Sequence, residues 1–558
     1  MERIENSSLL KKRILIFLVP LFLSLPFINR AYFVDDNYFV EIATWLTSHP
    51  LEPYDFRADD AGLQNRGWEE DGFVRMVNPL LHHYYLAVLL KIGGAHEWFL
   101  RLGCVLLSCF SGFFIFELAR RWMRYPFLST LLVLVTPVHW LTAHSLLIDS
   151  TMGFLFLGGL LFFIQAGERD SIPLYALSGV FMGLALLAKY TALLILPLTG
   201  VWWILNWRAL RRKQAVFLPW AIALSFLLFY SAITAHLYGR PHILAASARM
   251  VHKFGWAKVY SFFVFFSGAS LVPLLAWSLL GLRRALVVGC SVVLLALFFF
   301  SPMGGFSLVQ GFLLGLWFVT SLVVIGAFLE QARQWRFPQD TFLFLWVISF
   351  IAMMMAVMDW VAVRYYVIVT PALVLMTARM IEMKWPKTAS RVLRVSILLT
   401  ALLTAAIGYA DYKQASSSRF LVSDLKAKGF QGGARHFYLG DSFTMSYLKK
   451  EGWAACFPNT TFQIGDRIIG NEVTMPLKWF SKRPVVLKEL ATFEYSTRFP
   501  IKVMDYQGSA GFYASVWGAL PFTIHEGPWE RFHLFEVVDF RPEAAPSAGT
   551  PPSASAAR

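Results

Sequence analysis

Apolar residues in this chain come in long runs separated by short polar stretches. At close to 20 residues, the runs match a hydrocarbon core of ~30 Å crossed by a helix rising 1.5 Å per residue. The pattern predicts about thirteen membrane helices, near 13–32, 98–119, 127–147, 151–166, 172–188, 191–207, 216–235, 260–281, 285–301, 308–329, 341–358, 365–381 and 393–410. Residues 33–97 interrupt the series as a long outer loop rich in Asp, Glu, Arg, Trp and Pro. Within it, Pro79–Gly94 is apolar enough to span, yet counting it would reverse the side of every later basic cluster. It is expected instead as a juxtamembrane helix in the interface. Past 410 the character changes: charges return, and short apolar runs alternate with Gly and Pro. Ala434–Leu439 and Arg483–Leu487 read as strands and Thr444–Glu451 as a helix, so 411–541 is expected to form an α/β domain. The Pro-, Ala- and Ser-rich tail 542–558 is expected to stay disordered. No inverted internal repeat of the transporter kind is visible.

Composition sharpens this picture. Of 558 residues, 57% are hydrophobic and 15% charged, with a mean hydropathy of +0.54. The net charge of +15 gathers in clusters: Lys11, Lys12 and Arg13; Arg120, Arg121 and Arg124; Arg208, Arg211, Arg212 and Lys213; Arg283 and Arg284; and 379–394. With thirteen spans, all of them fall on one side, and the positive-inside rule makes that side cytoplasmic. Residues 411–541 then lie on the outer face. The charge encodes topology, and nucleic-acid binding is not expected. Four cysteines, Cys104, Cys109, Cys290 and Cys456, show no metal-ligand spacing and are expected to stay unpaired. The first run carries no small-residue cleavage site before Asp35, so it is expected as a retained span.

The topology brings distant polar residues to one outer rim. Asp35 and Asp36 follow span one, Asp149 lies between spans three and four, Lys189 between five and six, and Arg364 between eleven and twelve. Outer loops add His236, Arg240, His242, Arg249, His252 and Lys253. A charge inside hydrocarbon costs roughly 2.5–3.5 kcal/mol on insertion scales, so such residues need a reason. A carboxylate can take the proton of an acceptor hydroxyl, and Lys and Arg can hold a phosphate and stabilise its departing oxygen. Transfer of a sugar from a lipid phosphate uses these parts. Plainer roles exist as well. Asp35, Asp36 and Asp149 could cap helices, Lys189 could snorkel, Arg364 could pair with Asp359, and His82 and His83 could pack at the interface. The chemistry requires no cofactor; the three aspartates leave room for a divalent metal ion that their spacing does not demand.

These residues also carry a resemblance. Asp35-Asp36-Asn37-Tyr38-Phe39, His49-Pro50-Leu51-Glu52-Pro53-Tyr54-Asp55-Phe56, Asn78-Pro79-Leu80-Leu81-His82-His83-Tyr84-Tyr85, Ile148-Asp149-Ser150-Thr151, the 183–190 hairpin ending in Lys189-Tyr190, and Arg364-Tyr365-Tyr366 leading to Pro371 occur in that order. The series resembles GT-C class membrane glycosyltransferases of the protein O-mannosyltransferase and lipid A aminoarabinose transferase group (glycosyltransferase family 39-like), over about 1–410. The resemblance implies a GT-C transmembrane catalytic domain, with Asp35 as catalytic base and Lys189 and Arg364 on the lipid phosphate. Asp36 is taken as the partner that orients the acceptor. Asp149, Tyr365, Asn78, His82, His83 and Tyr54, which lie in the same motifs, join Lys189 and Arg364 as substrate-binding candidates. Departures are Asp36 in place of the usual Glu, a single Pro79, and Ser150-Thr151 where a proline follows the second Asp; they leave donor and acceptor identity open.

The expected function is transfer of one sugar from a polyprenyl-phosphate donor to a lipid, glycan or protein acceptor on the outer face of a bacterial inner membrane. The partners are then the donor, the acceptor and membrane lipids. The alternatives are a transporter of lipid-linked anions and an inactive sugar-binding scaffold.

Overall fold

The computed structural model describes residues 2–541 apart from 57–72, 74, 75, 250–254, 272–274, 276, 278, 279, 302–304, 333–336, 359, 431, 433, 440–444, 457–459, 472–484, 497 and 506. Helix α1 (Glu2–Ser24) passes through one 3-10 turn and an extended stretch into α2 (Asp35–Ser48), whose first turn holds two aspartates, the sign that a helix N-terminus favours. Helix α3 (Leu81–Gly93) ends on Gly94 at φ 67°, a left-handed conformation that glycine adopts without strain. It occupies the place expected for the juxtamembrane helix. Then follow α4 (Glu97–Trp122), α5 (Pro126–Leu134), α6 (Pro137–Ala143), α7 (Ile148–Arg169), α8 (Ile172–Ala188), α9 (Ile195–Asn206), α10 (Phe217–Tyr238), α11 (His242–Arg249) and α12 (Trp256–Gly268). The helical part closes with α13 (Leu282–Phe300), α14 (Leu308–Ala332), α15 (Pro338–Val357), α16 (Thr370–Lys384) and α17 (Ala389–Ala427).

Among the described residues, seven helices are long and apolar enough to cross a membrane: 97–122, 148–169, 213–238, 283–300, 308–332, 338–357 and 389–427. They coincide with seven of the thirteen expected spans, and the chain is a multi-pass membrane protein. The expected span 127–147 is broken: α5 and α6 meet at 65°, because Pro137 has no N–H to continue the ladder. The expected spans 172–188 and 191–207 correspond to shorter apolar helices, Ile172–Ala188 and Tyr190–Asn206. Span 365–381 begins in a 3-10 segment, Val363–Ile368, before Pro371 starts α16. At the bundle's edge, the apolar windows of α10 and α13 are only 17% and 11% buried, and Leu228, Phe229 and Leu294 face outward for lipid.

The basic clusters meet acidic partners at one end. Arg13 pairs with Glu117 at 2.8 Å, Arg121 with Glu168 at 3.0 Å and Arg212 with Asp170 at 3.2 Å. Glu382 accepts the backbone N–H groups of Arg124 and Tyr125, both at 3.0 Å. Helix α7 runs from Asp149 to Arg169 over a rise of ~30 Å, so Asp149 lies at the far end from this basic rim.

Helix α17 has 39 residues and runs through the boundary expected at 410. Beyond it come β1 (His436–Tyr438), the short helix α18 (Met445–Lys450), β2 (Ala454–Ala455), β3 (Arg467–Asn471), β4 (Val485–Tyr495), β5 (Ile501–Lys502), β6 (Met504–Asp505), β7 (Ala510–Gly511), β8 (Thr523–Ile524) and β9 (Glu530–Phe540). The first strand, α18 and the start of β4 coincide with the elements expected at 434–439, 444–451 and 483–487. The main sheet has the order β2-β1-β3-β9-β4, with β1 parallel to both neighbours and β9 antiparallel to β3 and β4. Leu421 and Leu425 of α17 are fully buried against Tyr438, Phe493, Phe532 and Leu534 on one face of it. Burial of each leucine contributes roughly 1.5–3 kcal/mol. The tail expected to be disordered, 542–558, lies outside the described residues. A chain ending after Lys428 strips this face from α17, and it is expected to lose monodispersity on size-exclusion chromatography and to unfold at a lower temperature than the full chain.

Candidate active site

The site starts from a strained residue. Val34, next to Asp35, has φ 51° and ψ −125°, a conformation that a β-branched side chain adopts only when its surroundings impose it. The imposing contacts belong to Asp36. Its carboxylate accepts from Arg30 at 2.7 Å, from Arg101 at 2.8 Å, and from the backbone N–H groups of Phe33 at 3.2 Å and Leu146 at 2.9 Å. Burial alone would push this carboxyl up, but Arg101 and Arg30 more than offset it and hold it below the usual carboxylate range. Arg30 also faces Asp411 at 2.6 Å and donates to the Tyr513 hydroxyl at 2.8 Å, which in turn donates to Asp411 at 2.7 Å. Arg101 donates further to the carbonyls of Arg30, Ala31 and His144. Two arginines and two aspartates thus form a sealed, charge-balanced hub joining the ends of α1 and α6, the starts of α2 and α4, α17 and the C-terminal region.

Asp35 turns the other way, as neighbours on a helix do, about 100° apart. Its side chain is 32% exposed and pairs with Arg364 at 2.8 Å. Arg364 lies 3.5 Å from Asp149, and Asp149 binds Lys189 at 2.7 Å. The result is an alternating line, Asp35–Arg364–Asp149–Lys189, assembled from four separate stretches of chain. Tyr365 lies beneath both cations, 4.3 Å from the Lys189 ammonium and 5.4 Å from the Arg364 guanidinium, measured to its ring centre. Burial pulls the Lys189 ammonium down, and Asp149 only partly restores it, leaving it below the ordinary lysine range. The C-terminal region completes the surround. Val363 N–H donates to the Phe512 carbonyl at 3.0 Å, Ser515 N–H to the Val361 carbonyl at 2.7 Å, and Arg364 to the Tyr513 carbonyl at 3.4 Å.

Five sequence candidates therefore gather in one network: Asp35, Asp149, Lys189, Arg364 and Tyr365. The others sit apart from it. Asp36, expected beside an acceptor, is saturated by donors inside the hub and leaves no oxygen toward an open surface. His82 is sealed between α3 and α7, with Nε2 on the Leu146 carbonyl and Nδ1 on the Thr151 hydroxyl, both at 2.8 Å. Leu146 can only accept there, so Nε2 carries the proton and Thr151 donates to Nδ1. His83 is fully buried beside Phe39, with ring centres 5.1 Å apart. Burial drives both imidazoles down, His82 to about 4. Tyr54 belongs to an aromatic cluster with Phe73, Tyr230, Tyr238 and His242, and His242 is hydrogen-bonded at 2.8 Å to Tyr190, the neighbour of Lys189. Asn78 is half-buried ahead of α3 and makes no hydrogen bond to another described site residue. Of the outer-loop residues, His236 and Arg240 are exposed, while His252, Lys253 and Asp359, the alternative partner of Arg364, lie outside the described residues. Asp35 and Asp149 are bridged by a guanidinium and Asp36 points away, so the three aspartates considered for a metal ion do not converge. Sequence reasoning missed Arg30, Arg101, Asp411 and Tyr513; three of these are charges within or at the edge of apolar runs, and that was the available signal.

Residues 77–235 match the dolichyl-phosphate-mannose-protein mannosyltransferase family, in line with the resemblance carried by the motifs. No curated protein sequence matches the chain. Among solved structures, ArnT from Cupriavidus metallidurans bound to undecaprenyl phosphate is similar at 16% identity, covering 87% of this chain and 96% of that chain, with a TM-score of 0.44. The archaeal oligosaccharyltransferase AglB from Archaeoglobus fulgidus, in complex with an inhibitory peptide and a dolichol-phosphate, is similar at 11% identity over 84% of this chain and 70% of that chain, with a TM-score of 0.46. At these identities and TM-scores, neither structure bears on substrate or mechanism here.

Two outcomes are expected from this geometry. Asp36→Ala leaves two buried guanidiniums facing each other and costs about 3–5 kcal/mol, read as a large fall in unfolding temperature, whereas Asp35→Asn leaves that temperature near wild type. The His82 imidazole titrates near 4 when folded and near 6.5 when unfolded, so the unfolded chain binds the extra proton between those values. Its contribution to stability is therefore present above about 6.5 and lost as pH falls toward 4. His82→Gln should flatten the pH dependence of thermal unfolding in that window.

Proposed function

We propose that this protein is an integral-membrane glycosyltransferase that moves one sugar from a polyprenyl-phosphate donor to an acceptor hydroxyl at the membrane surface. The observation that carries this reading is the line Asp35–Arg364–Asp149–Lys189, most exposed at its Asp35 end. The 77–235 family match, which contains Asp149 and Lys189, supports the lipid-phosphate donor. The donor phosphate lies against Lys189 and Arg364, both held and aimed by Asp149, while the acceptor approaches Asp35 from solvent. Phosphate arriving at Arg364 competes with Asp35 for the guanidinium and frees a carboxylate oxygen. The acceptor oxygen attacks the anomeric carbon and its proton passes to Asp35. The bond from that carbon to the phosphate oxygen breaks, and both electrons stay with the lipid phosphate, stabilised by the two cations. Asp36 acts by positioning: it fixes Val34 and the first turn of α2, and so the direction of Asp35. By the positive-inside rule the basic rim faces the cytoplasm, so the site and 411–541 face outward from a bacterial inner membrane.

Asp35→Asn is expected to lower transfer of radiolabelled sugar from polyprenyl phosphate by about two to four orders of magnitude, the usual weight of a general base, with little change in stability. Near-complete residual transfer by that variant would remove Asp35 from the reaction. Phosphate binding needs Lys189 charged, and its depressed pKa predicts an alkaline fall in activity below the ordinary lysine range. Lys189→Arg should shift that fall to higher pH, because a guanidinium keeps its proton.

A further inference from the structure

Three helix ends leave a gap at the basic rim. The start of α13, the end of α14 and the end of α16 surround an open crevice of about 1260 Å³. Val287, Val323, Ala327, Met380 and Met383 make its walls apolar. The space beside Gly326 is open, since a Cβ there would meet nothing within 4 Å. The mouth is cationic: among the described lining residues, Arg283, Arg284 and Lys384 stand against a single carboxylate, Glu330, which Arg284 holds at 2.8 Å.

Helix α13 lies at the edge of the bundle, so the gap is open to the hydrocarbon around it. An apolar wedge in that position is filled by acyl chains, because water would lose hydrogen bonds there and an empty gap would forfeit dispersion contacts. The mouth then decides which headgroup accompanies the chains. Excess cations select a phosphate without a compensating ammonium. We propose that this crevice binds an anionic phospholipid, with an acyl chain between the α13–α14 hairpin and α16 and its phosphate on Arg283, Arg284 and Lys384. The lipid joins a sparsely packed hairpin to the rest of the bundle, far from Asp35 and independently of any sugar chemistry.

The test uses the full chain in detergent, with native mass spectrometry and thermal unfolding in the presence of phosphatidylglycerol, phosphatidylcholine or inorganic phosphate. Phosphatidylglycerol should be retained and should raise the unfolding temperature more than phosphatidylcholine, and inorganic phosphate alone should do neither. The double variant Arg283→Gln, Arg284→Gln should lower phosphatidylglycerol retention about tenfold or more. Ala327→Phe, which fills the wall and leaves the charges alone, should also lower it, and this covers a double variant that fails to fold. Arg208→Gln with Arg211→Gln, at another basic cluster, should leave retention unchanged. Retention that survives in Ala327→Phe, falls equally in the Arg208 and Arg211 control, or is matched by phosphatidylcholine would overturn the proposal.

Discussion

The ion pair between Arg30 and Asp36 is the constraint on which the remaining architecture rests. Both side chains are fully enclosed, and each is tolerable there only because the other is present and further partners absorb what is left over: Arg101 on one side, Asp411 and Tyr513 on the other. A buried pair of this kind is a weak source of net stability but a strong source of uniqueness, since any alternative packing strands a charge in a low-dielectric interior. Here the uniqueness is geometric. The hub locks the residue before Asp35 into a left-handed conformation and so determines which of two adjacent aspartates faces outward.

Two polar systems of opposite design lie side by side. The hub is closed and internally neutral, and it recruits backbone groups so that both carboxylate oxygens of Asp36 accept hydrogen bonds. The Asp35–Arg364–Asp149–Lys189 line uses the same residue types but is open at one end, with cations crowded over Tyr365 and a lysine held in surroundings that disfavour its charge. The C-terminal region takes part in both, through the hydroxyl of Tyr513 in the hub and its carbonyl beside Arg364, so it forms part of the site's wall.

Much of this was legible in the sequence, for identifiable reasons. Asp35, Asp149, Lys189 and Arg364 each end an apolar run, and counting runs places run ends on a common face; hydropathy therefore forecast that they would meet. Hydropathy averaged over Arg30, Arg101 and Asp411 for the same reason, because a lone charge within or beside 20 apolar residues scarcely moves the mean. Tyr513 was invisible, since its partners Arg30 and Arg364 are far away in sequence and no local pattern records such a contact. His82 and His83 belong to a recognisable motif, but a motif does not say which way a helix faces, and α3 turns both inward. The seven long helices were found because length and composition suffice for them. The break inside 127–147 is hidden in the sequence, because proline at a bend and proline at a helix start look alike there.

Helix α17 carries a further implication. The same uninterrupted rod places Gly408 against Phe27, Asp411 in the hub, Gln414 on the Met504 and Trp529 carbonyls, and Leu421 and Leu425 under the sheet. With 3.6 residues per turn, these contacts share one angular registry. Adding or removing a single residue between Gly408 and Leu421 would swing everything downstream by about 100°. No loop is available there to absorb the mismatch. Evolution along this stretch should therefore proceed by substitution, with length held constant, even where the exposed side of the rod is free to vary.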